Sequence, residues 1–359
     1  MTTGLLTFIV LILIAIAIWQ LTKIFDLSQA KADNTQVAND KDNNINGYLM
    51  MGFLMFIYII TIISFVKWGD LPLIGNSASE HGSSVDTLMI ISMVLIFFVQ
   101  TVTQALLHYF AFKYRGKEGR KALYYADNDK LEFIWTIIPV ITLAGLILYG
   151  LFTWNEIMDV NMDDDPIVVE LYAQQFNWKA RYAGKDNVLG KANVRLIDLG
   201  DNPNILGLDR EDKYAQDDII VQELHLPVGK KVVFKMRSQD VLHSAYMPHF
   251  RMQMNCVPGM ITEFAMTPTK TTSQMRETPE IINKVRRINE IRAAKSEKLV
   301  ANSEEALEPY EFDYLLLCNK ICGESHYNMQ MKVIVESQAD YDKWIAAQET
   351  FGGKEITKK

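Results

Sequence analysis

The chain is predicted to be a membrane-anchored all-β protein, with four transmembrane helices followed by an antiparallel sandwich or Greek-key barrel. Three observations carry that prediction. Apolar residues make up 49% of the 359, yet mean hydropathy is near zero, so the apolar content is concentrated. It falls in four windows, 5–25, 48–66, 88–112 and 133–154, each close to the ~20 residues that cross a hydrocarbon core of about 30 Å as a helix. From residue 155 onward no such window recurs, and short alternating stretches take over at 167–172, 231–237, 262–266 and 314–317. That is the period-2 pattern of half-buried strands.

Each element has its own signal. No basic residue precedes the first span. Lys23, Lys31 and Lys41 lie around the first connection, Lys67 alone follows the second span, and Lys113, Arg115, Lys117, Arg120, Lys121 and Lys130 lie between the third and fourth. The positive-inside rule therefore puts both chain ends outside the cytoplasm. The first span lacks the basic start and small-residue cleavage site of a secretory signal and reads as a retained helix. Residues 26–46, rich in Asp, Asn and Lys without an apolar period, read as a solvated cytoplasmic linker. Turn signals at Asp165-Pro166, Ala183-Gly184, Pro227-Val228-Gly229 and Val257-Pro258-Gly259 separate the strands. The stretch 276–306 interrupts them. It is charged, and Ile281, Ile282, Val285, Ile288 and Ile291 recur at helical spacing, which predicts an inserted amphipathic helix or hairpin, either a solvated flap or a docking surface.

Charge and cysteine usage narrow the chemistry. A net charge of -7, from 43 acidic against 36 basic residues, argues against non-specific nucleic-acid binding, which needs a positive face. The acidic run Asp209, Glu211, Asp212, Asp217 and Asp218, like residues 163–165, suits steering of a basic partner. Three cysteines are too few for a disulfide scaffold, and no Cys-x-x-Cys-His attaches a c-type haem to this chain. Two of them, Cys318 and Cys322, share a loop with His326 and Met329. Soft sulfur donors with imidazole select copper over magnesium or calcium, and a thioether argues against structural zinc. A Cys318–Cys322 disulfide is the competing reading, though it leaves His326 and Met329 without a role. A second imidazole is available from His243, just beyond the strand ending near Arg237.

At these residues the chain resembles subunit II of the haem-copper cytochrome c oxidases, from the third span to about Val335. The resemblance rests on Leu131-Glu-Phe-Ile-Trp-Thr-Ile-Ile-Pro139, Gln175-Phe-Asn-Trp178, Asp240-Val-Leu-His243-Ser244, Val257-Pro258-Gly259 and the cysteine loop. It implies a cupredoxin-like barrel over 155–359, a two-helix anchor over 67–154, and an additional two-helix segment over 1–66 about which the resemblance says nothing. It further implies a dinuclear copper centre, CuA, bridged by Cys318 and Cys322, capped by His243 and His326, with Met329 and the Lys320 carbonyl as axial ligands. Electrons would come from a c-type cytochrome or a cytochrome-bearing complex and pass to the haem and CuB of subunit I, coupled to proton translocation, in a bacterial inner membrane with the copper domain on the periplasmic side. Other membrane subunits are implied partners.

Glu132 falls where that family places a carboxylate at the mouth of a proton pathway, with snorkelling to the interface as the alternative. Phe176 stands where the family has a tryptophan that receives electrons, and Trp178 matches the second aromatic of that motif. Lys320 replaces a glutamate that helps hold magnesium at the subunit I interface, and Asn255 and Met260 replace a common aspartate and arginine nearby. Magnesium is therefore doubtful, and the Lys320 ammonium is expected to take its place. Gln100, Gln104 and His108 share a face of the third span and are expected to hydrogen-bond a neighbouring helix. His81, His225 and His249 are expected at the surface or barrel rim, and Cys256 as a buried free thiol. The runner-up function is the CuA subunit of a copper-dependent nitrogen-oxide reductase; quinol oxidase relatives lack the copper ligands that are present here.

Overall fold

The structure is a computed structural model and describes residues 2–29, 39–69, 74–162, 165–200 and 203–353. Residues 30–38, with Lys31, and the expected acidic Asp163 and Asp164 lie outside the described residues. Four helices come first: α1 (Thr2–Gln29), α2 (Asp40–Trp68), α3 (Gly82–Lys113) and α4 (Asp129–Met158). Each is long and apolar enough to cross a membrane. The predicted linker is shorter than its composition suggested, because helix resumes at Asp40. The Asn39 side chain accepts the Asp42 N–H, and Asp40 and Asp42 sit in the first turn, where a cap and negative charge favour a helix start.

The chain forms two compact units, Met1–Gly69 with Ile96–Asp129, and Asp70–Leu95 with Lys130–Lys359. In the first, α2 and the later part of α3 meet through Tyr58, whose hydroxyl donates to the Thr101 carbonyl at 2.7 Å, and through the Phe65–Phe97 and Tyr48–Phe112 ring pairs. His108 is buried beside Phe53. Its Nδ1 pairs with the Gln104 carbonyl of its own helix at 2.8 Å, not with the neighbouring helix as expected, since a carbonyl one turn back is the nearest acceptor.

Among the described residues of the second unit, ten strands form two five-stranded sheets. One has the order β3-β2-β1-β5-β8, from β1 (Ile167–Gln174), β2 (Asn177–Tyr182), β3 (Ile219–Val221), β5 (Val232–Ser238) and β8 (Thr262–Met266). The other has the order β4-β10-β9-β6-β7, from β4 (Leu224–Pro227), β6 (His243–Met247), β7 (Met252–Cys256), β9 (Tyr314–Cys318) and β10 (Gln330–Glu336). Most pairings are antiparallel, but β1 with β5 and β10 with β4 are parallel, so the sheets of the expected Greek-key barrel are mixed. A Greek-key crossover brings strands together that no hairpin joins. Residues from both sheets, among them Leu171, Trp178, Phe234, Leu316 and Val333, fill one core.

β1 is buried along both faces because the segment after β2 covers its outer side: Tyr172 packs with Leu206, Leu208, Ala215 and Phe351. The same segment is tied down by charge. Arg181 pairs with Glu170 at 2.9 Å and with Asp218 at 3.0 Å, and Arg237 also holds Glu170. The acidic run predicted to steer a partner is largely committed to this segment. Asp212 accepts the Lys191 N–H, Asp217 accepts the Lys185 N–H, and Asp218 has no exposed surface. Composition registers such carboxylates as surface charge because it cannot see backbone donors arriving from elsewhere.

The stretch expected to be inserted contains one long helix, α6 (Pro279–Ala301), preceded by the short α5 (Thr272–Arg276), and it is not a free flap. Ile281 is buried and Val285 packs on the core, whereas Ile282 and Ile291 are exposed. A final helix, α7 (Gln338–Ala346), places Trp344 face to face with His225 at 4.0 Å. His225 is thus buried rather than at the rim, and its Nδ1 meets Glu336 at 2.9 Å. His81 and His249 are half-buried.

Burial pushes the Asp218 carboxyl up to about 7, against the pull of Arg181 and the Gly190 N–H. The unfolded chain ionises this group near 4, so between about pH 4 and 7 the folded state keeps a proton that the unfolded state gives up, and stability falls as pH rises through that window. Asp218→Asn is expected to flatten that part of the curve, checked by thermal unfolding of the detergent-solubilised chain at several pH values. An unchanged slope contradicts the assignment.

Candidate metal centre

β6 and β9 bring the predicted donors together. They pair antiparallel, with Ala245 opposite Cys318, so His243 at the start of β6 overhangs the end of β9. The loop beyond β9 folds back: Asn319 N–H donates to Ser244 O at 3.0 Å and Cys318 N–H to Met329 O at 3.1 Å. His243, Cys318 and Cys322 therefore offer donor atoms within 4.8 Å of one another.

The remaining predicted donors surround this group. The two sulfurs are 3.8 Å apart, both thiols are free, and no disulfide links them. His243 Nδ1 lies 3.8 Å from Cys318 Sγ, and His326 Nδ1 lies 3.6 Å from Cys322 Sγ. Met329 Sδ is 3.8 Å from Cys322 Sγ. Lys320 presents its backbone carbonyl 3.2 Å from Cys318 Sγ, while its side chain is exposed. Burial, then the adjacent Cys318 thiol, pushes the Cys322 thiol up to about 11, so Cys322 becomes thiolate only against a strong positive charge. Soft sulfur donors with imidazoles in a partly buried pocket fit copper.

Residues not foreseen as functional orient these donors. Asp240 accepts from His243 Nε2 at 2.8 Å, leaving Nδ1 turned toward the sulfurs, the arrangement by which a carboxylate fixes a metal-binding imidazole. Burial opposes the Asp240 charge, but hydrogen bonds from the Gln175 N–H, His243 and the Val241 N–H outweigh it and hold the carboxyl below its usual range. Its place three residues before His243 in the Asp240-Val-Leu-His243 motif was the available signal. Gln175 donates from its side chain to the Cys322 carbonyl.

Gly323 has φ +140°, and a Cβ there would come within 2.8 Å of the Phe176 ring. The cysteine loop therefore lies directly on Phe176 and needs glycine at that point. Trp178 has no exposed surface. Its ring meets His243 edge-on at 6.3 Å, and its indole N–H donates to Met329 O at 3.4 Å. Cys256, opposite His243 across the β6–β7 pair, is a buried free thiol as expected. Glu132 is exposed in the first turns of α4, away from this site in the sequence and outside its donor group.

The chain is similar to known proteins. The family model described as cytochrome C oxidase subunit II, transmembrane domain, matches residues 74–152, and the one described as cytochrome C oxidase subunit II, periplasmic domain, matches 167–285. The second match stops within α6, before the cysteine loop. An alternative cytochrome c oxidase subunit 2 from Bradyrhizobium diazoefficiens is 34% identical over 291 residues, covering 80% of this chain and 87% of that protein. A cytochrome c oxidase subunit 2 from Thermostichus vulcanus is 23% identical over 309 residues, covering 80% and 81%. The crystal structure of the periplasmic domain of subunit II of cytochrome oxidase from Bradyrhizobium japonicum is 18% identical and covers 50% of this chain and 91% of that one, with a TM-score of 0.28.

These relatives are oxidase subunits, which favours the oxidase over the nitrogen-oxide reductase reading. The matched transmembrane and periplasmic domains put the helices in the inner membrane and the cupredoxin-like barrel outside it. With one relative alike over most of its own length and both subunit II domains matched in order, the chain belongs to the cytochrome c oxidase subunit II family and is a subunit of that enzyme.

Proposed function

We propose that this chain is the electron-accepting arm of an aerobic oxidase. It takes electrons from a c-type cytochrome at a dinuclear CuA site and hands them to the haem and CuB of subunit I, with proton translocation in the assembled enzyme. The observation that carries this reading is the convergence of His243 and the Lys320 carbonyl on Cys318, and of His326 and Met329 on Cys322, with neighbouring donors 3.2 to 3.8 Å apart. When bound, the copper pair supplies a one-electron site in which the charge change is spread over both metals.

The chain's own residues do the rest. Asp240 holds the His243 tautomer, and Gln175 and Trp178 fix the carbonyls of Cys322 and Met329. Burial of Cys322 and Met329 keeps water away from their two sulfurs. A site held this rigidly changes little in geometry between redox states. Trp178 lies wholly inside the barrel, so a docked donor reaches it only through other groups, and half-buried Phe176 on the cysteine loop is the nearer aromatic.

In this reading the exposed Glu132 opens a proton path toward subunit I, and the Lys320 ammonium stands in for magnesium at that interface. Residues 67–154 are the subunit II anchor and 155–359 the copper domain, with 276–306 inserted. Residues 1–66 are an added pair of helices that suits contact with another membrane subunit.

Copper analysis and electron paramagnetic resonance of the purified chain are expected to give two coppers sharing one unpaired electron. A mononuclear signal, or a Cys318–Cys322 disulfide without metal, overturns the reading. Asp240→Asn is expected to weaken copper retention about 10–100-fold while the fold persists, read by competition with a copper chelator. Phe176→Trp is expected to alter cytochrome oxidation rates modestly at unchanged copper content; loss of copper instead makes Phe176 a packing residue.

A further inference from the structure

A cleft of about 530 Å³ lies in the second unit, away from the cysteine loop, between the start of α3, the turn after β6 and the first turns of α6. Asp86 and Met89 face it from α3, His249 and Arg251 from the turn, and Ile281 and Lys284 from α6. Its volume is that of a small-molecule site. The cleft borders the first turns of α3, a helix long and apolar enough to cross a membrane.

The charges in the cleft are unevenly committed. Arg251 is spent on Asp86, through Nε at 2.6 Å and Nη2 at 3.0 Å, and on the Pro248 and Gly75 carbonyls. Lys284, by contrast, is half-buried and has no carboxylate within 4 Å among the described residues; its closest partner is the Phe312 ring at 5.8 Å. Burial lowers its pKa. Glu280, one helical turn before it and also in the lining, is exposed and makes no ion pair among the described residues. A partly desolvated ammonium without an ion partner favours an anionic ligand group, and the exposed carboxylate beside it is open to a cationic one. His249, packed edge-on against Phe312 and Tyr314, is held neutral down to about 4 by burial and by the charges of Lys284 and Arg251. It adds a hydrogen-bonding group without adding charge. Met89 and Ile281 supply apolar wall.

We propose that this cleft binds the phosphoethanolamine head of a membrane phospholipid, its phosphate on Lys284 and its ammonium on Glu280, with the acyl chains leaving past Met89 along α3. The lipid holds α6 against the membrane anchor, which gives the insertion a role separate from copper.

The test is native mass spectrometry of the full chain, delipidated in detergent and titrated with phosphatidylethanolamine, phosphatidylglycerol or inorganic phosphate. Wild type is expected to retain one phosphatidylethanolamine in preference to phosphatidylglycerol. Lys284→Ala should weaken both lipids about tenfold, the loss of one charge-assisted hydrogen bond, and Lys284→Arg should restore them. Glu280→Gln should abolish the preference for phosphatidylethanolamine while leaving phosphatidylglycerol binding intact. Copper content, measured on the same samples, should not change. Lipid retention that is the same in Lys284→Ala as in wild type overturns the proposal, as does displacement of the lipid by inorganic phosphate at equal concentration.

Discussion

The antiparallel pairing of β6 with β9 is the constraint on which the metal centre depends, because it fixes His243 against Cys318 across a long stretch of intervening chain. Between the two strands lie β7, β8, α5 and the whole of α6. Closing a loop of that length costs only slightly more entropy than closing a short one, since the cost grows with the logarithm of its length. A helix can therefore be inserted there without disturbing the site, provided the strands on either side still find each other. The docking of Ile281 and Val285 on the barrel core shows how the insertion is kept from swinging freely.

A second layer of constraint makes the donors rigid. Backbone hydrogen bonds close the cysteine loop onto β6 and onto its own far end, while Gln175, Trp178 and Asp240 hold individual groups from the other sheet and from the turn before β6. Donors placed by strands and fixed by a surrounding shell keep one geometry, which is what a site that must change charge without moving requires. The buried charges around Arg181 do a comparable task on the outer sheet, binding the long segment after β2 to the face it covers. Such buried pairs add little net stability against apolar packing, but removing one partner strands the other.

The Arg251–Asp86 pair links the same architecture to the membrane. Arg251 lies just past β6, the strand that begins with His243, and Asp86 lies in the first turns of α3. A bidentate guanidinium–carboxylate contact is directional as well as attractive, so the sheet that carries the donors is registered on the helix that enters the bilayer. Its neighbours in the cleft, Lys284 and Glu280, form no ion pair among the described residues.

The spans, the main strands and the donor residues were legible from local pattern. Length and apolar run distinguish a membrane helix, alternation distinguishes a strand, and two cysteines, a histidine and a methionine in one loop announce soft-metal chemistry whatever surrounds them. Long-range placement was not legible, because its causes sit far away in the sequence. Nothing near Asp218 says that Arg181 will bury it, nothing near His225 that Trp344 will stack on it, and nothing in the strand pattern that β1 will run parallel to β5. Asp240 stood within the quoted motif, yet its task became visible only when folding turned His243 Nε2 toward it. Residue chemistry sets which atoms can bind a metal. Packing sets which of them meet, because a donor's direction depends on partners that only the folded chain brings within hydrogen-bond reach.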